Sequence, residues 1–226
     1  MNIIIIANGL FPSGAWVSPL LEEADKIVCC DGALEKYLDW LRLHPHAAVH
    51  QPAVTVVGDG DSMPFQLPDH ARNQGLDVTF VRIAEQDDND LTKATRHVLS
   101  NVDYGEQEGC HVDYIGATGL REDHTLGNIS LLAWYMEQFP KVSFRMLSDQ
   151  GMFLPMQGHQ LFQSHPGQQV SLFSLTPQLP VTVEGLRWPI NNRQLEWWWE
   201  GSLNEATGDS FEVWGGRLVV YLLAQA

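Results

Sequence analysis

The sequence is poor in cysteine and in basic residues. Its 226 residues include three cysteines, Cys29, Cys30 and Cys110, which cannot all pair and have no metal-ligand spacing. This usage argues against a disulfide framework and favours a reducing cytoplasm. Lys and Arg together number 13 against 28 Asp and Glu, which gives a formal net charge of −15. Because such a chain repels a polyphosphate backbone, we expect no nucleic-acid partner.

Long apolar runs are also absent from the start of the sequence. Between Met1 and Asn8 only Ile3–Ala7 is apolar, and no basic residue precedes it. The run is too short for the apolar region of a signal peptide or for a membrane span. We therefore expect it to form the first buried strand, and we expect no membrane partner.

Motifs of several large enzyme classes are missing. The sequence has no Gly-x-x-x-x-Gly-Lys-Ser/Thr loop, which excludes a P-loop nucleoside triphosphatase. No complete Gly-x-Gly-x-x-Gly follows the first apolar run, which argues against a dinucleotide-binding Rossmann domain. Neither a Gly-x-Ser-x-Gly elbow nor a His-Glu-x-x-His helix is present. Any catalytic chemistry must therefore rest on other residues.

The first two-thirds of the chain alternate short apolar runs with helix-like segments. The apolar runs, which we expect to be strands, are Ile3–Ala7, Lys26–Cys30, Val54–Val57, Val78–Ile83, Val112–Ile115 and Val142–Leu147. The segments expected to be helices are Val17–Ala24, Leu34–Leu43, Pro68–Gln74, Asp90–Ser100 and Thr125–Phe139. This alternation predicts the α/β class, with a mostly parallel sheet covered by helices on both faces.

Beyond about Asp149 the sequence changes to short β-like runs separated by Gly and Pro. The runs are Met152–Met156, Gln160–Gln163, Gln169–Leu175, Val181–Glu184, Gln194–Trp199, Ser210–Val213 and Arg217–Leu223. Such a series predicts an antiparallel β-sandwich or barrel. With the boundary near Gly151–Gly158, we expect an α/β domain over 1–150 and a β-sandwich domain over 151–226.

Carboxylates follow four of the predicted parallel strands. They are Asp31 after the second strand, Asp59 and Asp61 after the third, the acids within Glu85–Asp90 after the fourth, and Glu122 and Asp123 after the fifth. Ligands bind beyond the carboxyl ends of such strands, and like charges gathered there repel unless a cation lies among them. Hard oxygen ligands, without usable Cys or His clusters, indicate Mg²⁺. For the turn Gly58-Asp59-Gly60-Asp61-Ser62 alone, an ordinary solvated turn stays open.

The fourth cluster also offers a helical face. If a helix begins near Asp87, then Gln86, Asp90 and Lys93 lie on one side of it. That side would present an amide, a carboxylate and an ammonium to a ligand. The alternative is a solvent-exposed face that carries an Asp90–Lys93 ion pair.

The fifth cluster contains candidates for phosphate binding. The planar fork of the Arg121 guanidinium suits phosphate oxygens. His124 and Asn128 follow, one helical turn apart. Asp123 belongs either to the site or to the helix as its N-cap.

Four motifs follow one another in a fixed order, with two more near the end of the chain. They are Cys30-Asp31-Gly32-Ala33, Gly58-Asp59-Gly60-Asp61-Ser62, Glu85-Gln86-Asp87-Asp88-Asn89-Asp90-Leu91-Thr92-Lys93, Gly119-Leu120-Arg121-Glu122-Asp123-His124, Gly185-Leu186-Arg187-Trp188 and Asn204-Glu205. In order and spacing this set resembles the thiamine pyrophosphokinases over nearly the whole chain. Each motif alone is weakly specific, whereas the ordered set is specific.

The resemblance implies a fold, an assembly and a reaction. The fold is an N-terminal α/β domain followed by a C-terminal β-sandwich, in a homodimer whose active sites lie in clefts between domains and subunits. The reaction transfers a diphosphate group from ATP to the hydroxyl of thiamine, with Mg²⁺, and yields thiamine diphosphate and AMP. In such a transfer, positioning and charge neutralisation supply most of the catalysis.

The resemblance also implies roles for individual residues. Asp59, Asp61 and Asp90 are expected to hold the metal, and either Asp90 or Asp87 to accept the hydroxyl proton. The other expected substrate-binding residues are Asp31, Gln86 and Lys93 in the acidic motifs, Arg121, Asp123, His124 and Asn128 near the nucleotide, and Trp188, Ser202 and Asn204 near thiamine.

Two positions depart from the family pattern. The family usually carries serine directly before the asparagine that matches Asn204, whereas this chain has Leu203, with Ser202 one place earlier. It usually carries threonine where this chain has Asn89. Details of thiamine binding stay open at both positions, although neither removes an expected metal ligand.

Tryptophans supply the remaining candidates. Trp188 lies in a Gly- and Pro-marked segment that predicts a loop, where it either stacks on thiamine or only plugs the end of the sandwich. If Trp197–Trp199 form a strand, at least one of them points away from its own domain, which favours a dimer contact.

Two other functions stay open at this stage. The first is a related diphosphokinase that acts on a pterin alcohol and shares the Gly-Asp-x-Asp-Ser element. The second is a non-catalytic sensor of thiamine or nucleotide, which would not need the metal carboxylates that this sequence retains.

Overall fold

The structure is a computed structural model that describes residues 1–46, 52–61, 71–72, 75–103 and 105–224. The chain divides into two compact units. The first comprises Met1–Asn128 and Lys141–Ser143, and the second comprises Ile129–Pro140 and Phe144–Ala226. Of the helix predicted over Pro68–Gln74, only residues 71 and 72 are described, and they are helical. The rest of that segment and Ser62 lie outside the described residues.

The first unit contains a parallel sheet of five short strands. They are β1 (Asn2–Ile6), β2 (Lys26–Cys30), β3 (Val54–Gly58), β4 (Val78–Arg82) and β5 (His111–Ile115). Their order is β5-β1-β2-β3-β4, and every neighbouring pair is parallel. The last four residues of β1 are all buried isoleucines, Ile3–Ile6, as expected for a strand covered on both faces. The parallel sheet predicted from the sequence is confirmed.

Three helices lie between these strands in the sequence, and a fourth follows β5. They are α1 (Val17–Glu22), α2 (Ala33–Leu43), α3 (Asp90–Ser100) and α4 (Glu122–Gln138). The N-cap of α3 is Asn89, whose Oδ1 accepts a hydrogen bond from the Thr92 N–H at 2.9 Å. The helix predicted over Asp90–Ser100 is confirmed, whereas the alternative start near Asp87 was wrong, because the capping side chain lies two residues later. α4 crosses the division between the two units.

The second unit is built from antiparallel strands. They are β6 (Ser143–Ser148), β7 (Gly151–Gln163), β8 (Gln169–Ser174), β9 (Pro180–Glu184), β10 (Ile190–Gln194), β11 (Asn204–Glu205) and β12 (Ser210–Leu223). β12 pairs with β7 along almost its whole length. On its other edge it pairs first with β9 and then with β8, and its register with β7 shifts between Gly215 and Leu218. A strand that changes partners at such an irregularity joins the two layers of a sandwich.

Three predictions for this unit were wrong. The runs Met152–Met156 and Gln160–Gln163 belong to one strand, β7, and the runs Ser210–Val213 and Arg217–Leu223 belong to one strand, β12. The run Gln194–Trp199 is not a strand, since β10 ends at Gln194 and a 3₁₀ turn occupies Trp198–Gly201. Glu200 closes this turn by accepting a hydrogen bond from the Trp197 N–H at 2.9 Å.

Apolar side chains fill the interior of each unit. The core of the second unit includes Phe162, Leu172, Phe211 and Val220, all buried. The three cysteine thiols are free and buried, and buried thiols of this kind pack as small apolar side chains. Among the described residues, no helix combines the length and apolar character that a membrane crossing requires. The α/β fold class with a following antiparallel β-sandwich is confirmed.

Candidate active site

A cavity of about 510 Å³ lies at the carboxyl ends of the parallel strands in the first unit. The segments that follow all five strands contribute to its wall, including the four polar clusters noted in the sequence. The strand order continues from β1 through β4 on one side, whereas β5 lies on the other side of β1. Open α/β sheets bind ligands where the strand order changes direction in this way. The cavity is therefore the place where a ligand site is expected.

Three carboxylates meet at this edge of the sheet. Asp31, Asp59 and Asp61 each place one oxygen within 4.8 Å of the other two. Asp31 is 1% exposed and has a backbone φ of 40°, in the left-handed region that non-glycine residues rarely adopt. A Cβ at position 58 would lie 2.7 Å from the Asp31 Cβ, so Gly58 leaves the space that this carboxylate needs. Three such hard oxygen ligands fit a divalent cation such as Mg²⁺.

Polar contacts surround Asp59. Gln86 Nε2 donates to Asp59 Oδ2 at 2.8 Å, and the Asp61 N–H donates to Asp59 Oδ1 at 3.1 Å. Lys93 Nζ lies 4.0 Å from Asp59 Oδ2. These contacts, with the Gln86 hydrogen bond as the largest cause, hold the pKa of Asp59 below its ordinary value. The carboxylate is therefore kept in its anionic form.

Lys93 is buried in the cavity wall. Its side chain is 3% exposed, and its ammonium lies 3.2 Å from Asp90 Oδ1. The Asp90–Lys93 pair therefore exists, but not on the solvent-exposed face that the alternative reading required. Gln86 reaches Asp59 from the loop before α3, so it does not share a helical face with Asp90 and Lys93 as predicted. Asp87 is exposed and lies outside the cavity wall, whereas Asp90 is part of it.

Arg121 and Asp123 form an exposed ion pair at the start of α4. Arg121 donates from Nε to Asp123 Oδ1 at 3.1 Å and from Nη2 to Oδ2 at 2.6 Å. The Arg121 hydrogen bond and the backbone N–H of His124 lower the pKa of Asp123 to about 2. Because α4 begins at Glu122, Asp123 lies inside its first turn and is not the N-cap. Arg121 and His124 line the cavity, whereas Asp123 lies outside its wall.

Asn89 and Asn128 connect two walls of the cavity. Asn89 Nδ2 donates to Asn128 Oδ1 at 3.1 Å, and Asn128 Nδ2 donates to the Ala117 carbonyl at 2.8 Å. Asn128 is buried, 7% exposed. The two amides therefore join the start of α3 to α4 and to the loop after β5. This bridge uses Asn89, one of the two residues that depart from the pattern noted in the sequence.

Sequence reasoning missed the segment that follows β1. Asn8 and Gly9 line the cavity, and the Gly9 N–H donates to the Gly116 carbonyl at 2.6 Å. A Cβ at position 9 would lie 2.3 Å from that carbonyl oxygen, so only glycine permits the approach. Lys36 on α2 donates to the carbonyl oxygens of both Asn8 and Gly9. The available signal was an Asn-Gly pair directly after the first apolar run.

The second unit carries a separate pocket of about 200 Å³. Trp188, Ser202, Leu203 and Asn204 contribute to its wall. Trp188 lies in the loop between β9 and β10 and is 55% exposed, so the loop prediction is confirmed and a core plug is excluded. Leu203 is 74% exposed, with a backbone φ of 57°. The pocket thus combines two exposed apolar side chains with polar groups.

Both units match models of a known family. The model described as thiamin pyrophosphokinase, catalytic domain, matches residues 17–144, which is more than half of the chain. The model described as thiamin pyrophosphokinase, substrate-binding domain, matches residues 151–221. Both matches cover residues that the motif set had singled out.

Individual proteins agree with the family models. Thiamine pyrophosphokinase 1 of Oryza sativa subsp. japonica is 26% identical over 207 residues, covering 86% of this chain and 75% of that protein. Thiamine pyrophosphokinase 1 of Arabidopsis thaliana is 29% identical over 206 residues, covering 85% and 74%. The solved thiamin pyrophosphokinase of Candida albicans shares the fold, with a TM-score of 0.80 at 18% identity over 99% of this chain and 90% of that one. The chain therefore belongs to the thiamine pyrophosphokinase family, and it is an enzyme of that class, a thiamine diphosphokinase.

Proposed function

We propose that this enzyme transfers a diphosphate group from ATP to the hydroxyl of thiamine, and that it releases AMP with thiamine diphosphate. The observation that carries the proposal is the cluster of Asp31, Asp59 and Asp61 in a cavity at the switch point of the sheet. A chain of this family needs a site for a polyphosphate and its cation, and this cavity offers both carboxylates and cationic side chains.

Mg²⁺ is the proposed cofactor. Asp31, Asp59 and Asp61 would hold it, with Asp90 as the further ligand expected from the motif match. When bound, Mg²⁺ supplies positive charge to the phosphate oxygens. The ammonium of Lys93, 4.0 Å from Asp59 and 3.2 Å from Asp90, offsets part of the repulsion between the two carboxylates.

The residues of the cavity wall would bind and orient the reactants. Arg121, with its five N–H donors, contacts phosphate oxygens while part of the fork stays on Asp123. His124 and Asn128 also line this cavity. Asp90 is our choice as acceptor of the thiamine hydroxyl proton, because it lines the cavity and Asp87 does not.

Thiamine would contact the pocket of the second unit through Trp188. The exposed indole offers an apolar surface, and aromatic faces attract cations such as the thiazolium ring. Arg187 already lies over this ring, 5.2 Å from its centroid. Thiamine would therefore use the part of the indole that Arg187 leaves accessible. Ser202 lines the same pocket.

The proposal also covers the two domains, the assembly and the cellular location. We propose an ATP- and Mg²⁺-binding domain over 1–150 and a thiamine-binding and dimerisation domain over 151–226. We further propose a homodimer in the cytoplasm, where buried thiols such as Cys29 and Cys30 stay reduced.

Substitutions in the acidic cluster test the proposal. Asp59→Asn and Asp61→Asn each remove one anionic ligand, so we expect turnover with Mg-ATP and thiamine to fall at least ~100-fold while the circular dichroism spectrum is unchanged. The matched control is Asp39→Asn, since Asp39 is exposed on α2 and pairs with Arg42. Near-normal activity of both cluster variants at saturating Mg²⁺ would remove these residues from the metal site.

A panel of alcohols tests the acceptor. The enzyme is mixed with Mg-ATP and either thiamine, a pterin alcohol or no acceptor, and AMP is measured. We expect AMP to form only in the mixture that contains thiamine. AMP with the pterin alcohol alone would assign the enzyme to the related diphosphokinases, and ligand binding without AMP from any acceptor would indicate a sensor.

A further inference from the structure

Asn204 is the most enclosed polar side chain in the pocket of the second unit. It is 5% exposed, and the sequence had suggested that it binds substrate directly. Its Oδ1 accepts hydrogen bonds from the Trp188 N–H at 3.1 Å and from the Glu205 N–H at 2.9 Å. Its Nδ2 donates to the Trp188 carbonyl at 2.7 Å. Both lone pairs of the amide oxygen and one of the two amide N–H groups are therefore in use within the protein.

The Asn204 side chain thus holds both the backbone N–H and the backbone C=O of Trp188. A side-chain amide that bonds the N–H and the C=O of the same residue imitates an antiparallel strand partner. The neighbouring residues extend this pairing. The Arg187 N–H donates to the Glu205 carbonyl at 2.8 Å, and Leu186 forms an isolated antiparallel bridge with Ala206. The loop that carries Trp188 is thus fastened to the segment 204–206.

Trp188 needs such support because its indole is exposed. A side chain that is 55% exposed has few packing contacts to fix it, so the backbone must set its direction. A ligand that stacks on an ordered aromatic ring avoids the free-energy cost of ordering it upon binding. A backbone held at both its N–H and its C=O supplies this order before the ligand arrives.

We propose that Asn204 is a positioning residue, which acts on thiamine only through Trp188 and makes no substrate contact of its own. This inference rests on the proposed contact between Trp188 and thiamine. Asn204→Ala removes both hydrogen bonds to Trp188. Asn204→Asp keeps the acceptor for the two N–H groups and removes the donor to the Trp188 carbonyl, which provides a milder second variant if the alanine variant does not fold.

The first measurement is independent of the substrate. Hydrogen exchange of the backbone amides is followed in the segment 185–190 and in the strands β7 and β12. We expect Asn204→Ala to accelerate exchange in 185–190 at least ~5-fold, because the Trp188 N–H loses its acceptor, and to leave the strands unchanged. Thr207→Val is the matched control, since Thr207 Oγ1 donates to Gly185 O in the same region without contacting Trp188. Unchanged exchange in 185–190 would show that the hydrogen bonds of Asn204 do not order the loop, and it would overturn the inference.

The second measurement is a double-mutant cycle on the KM for thiamine. We expect Trp188→Ala and Asn204→Ala each to raise this KM ~10-fold, since a lost hydrogen bond or aromatic contact has this order of effect, with little change in the KM for ATP. If Asn204 acts only through Trp188, the double variant shows the same rise as Trp188→Ala alone. Multiplied effects, ~100-fold in the double variant, would show a direct contact by Asn204 and overturn the inference. A third outcome is possible, in which Trp188→Ala leaves the KM for thiamine unchanged while Asn204→Ala still accelerates exchange in 185–190. In that case the hydrogen bonds of Asn204 order only the loop. The proposed contact between Trp188 and thiamine then fails, and with it the role of Asn204 in thiamine binding.

Discussion

At the scale of single residues, Leu203 is held in a backbone conformation that leucine disfavours. Its φ of 57° costs an L-amino acid roughly 1–2 kcal/mol. The conformation is fixed from both sides, because its N–H donates to Ser171 Oγ at 3.1 Å and Asn204 pairs with Val170 of β8. The side chain gains little from burial, since it is 74% exposed. Folding stability therefore gives no reason for leucine at the position where the family has serine.

Two substitutions at this position separate the backbone strain from the side chain. Leu203→Ala removes the apolar side chain and keeps the strain, whereas Leu203→Gly removes both. We expect the glycine variant to unfold with a free energy about 0.5–1 kcal/mol higher than the alanine variant, after allowance for the backbone entropy of glycine. Denaturant unfolding measures the difference. Equal stabilities, or a less stable glycine variant, would contradict the assigned strain.

The sequence could place some site residues and not others. The positions of Asp59 and Asp61 could be predicted, because a Gly-Asp-x-Asp turn directly after an apolar run puts both carboxylates at one strand end. The burial of Lys93 could not be predicted, because it depends on how α3 packs against β1, β2 and β3, which are distant in the sequence. The close approach of Asp31 to this pair also depends on register, since the Asp31 N–H donates to the Val57 carbonyl across β2 and β3 at 2.9 Å. Register between distant strands is a long-range property that local sequence does not specify.

At the scale of elements, the start of α3 tests how Asn89 combines two tasks. Asn89 caps the helix and also donates to Asn128. Asn89→Thr keeps a capping hydroxyl and loses the bond to Asn128, whereas Asn89→Ala loses both. We expect the alanine variant to be less stable than the threonine variant by about 1 kcal/mol, the usual value of an N-cap, as measured by denaturant unfolding. Equal stability of the two variants would show that the cap does not stabilise α3.

The elements of the second unit show where sequence patterns mislead. Gly and Pro within Gly151–Gln163 predicted a break between two strands. Instead, β7 continues through this segment and pairs with β12 on both sides of the predicted break. The pairing register shifts there, between Gly215 and Leu218 of β12. The aromatic run Trp197–Trp199 predicted a strand because aromatic residues favour strands. Instead, Glu200 accepts from the Trp197 N–H and pairs with Arg193 at 2.6 Å, which closes a 3₁₀ turn. Side-chain hydrogen bonds of this kind outweigh the strand propensity of the aromatic residues, and the spacing of apolar residues in the sequence does not reveal them.

At the scale of the whole molecule, exposed aromatic side chains favour a homodimer. Trp197 is 66% exposed and Trp199 is 72% exposed, although they lie at a turn and not on the strand from which their exposure was first inferred. Exposed aromatic patches usually mark a contact surface. We expect light scattering at micromolar concentration to give twice the 25.4 kDa mass of the chain, and a Trp197→Ser, Trp199→Ser variant to shift toward the monomer. A monomer mass for the unmodified protein would contradict the dimer.

Product analysis tests most directly which group the enzyme transfers from ATP to thiamine. The enzyme is incubated with Mg-ATP and thiamine, and nucleotides and thiamine esters are separated by chromatography. Transfer of a diphosphate group predicts AMP and thiamine diphosphate in equal amounts, with neither product formed when thiamine or Mg²⁺ is left out. ADP with thiamine monophosphate would show transfer of a single phosphoryl group and would contradict the account.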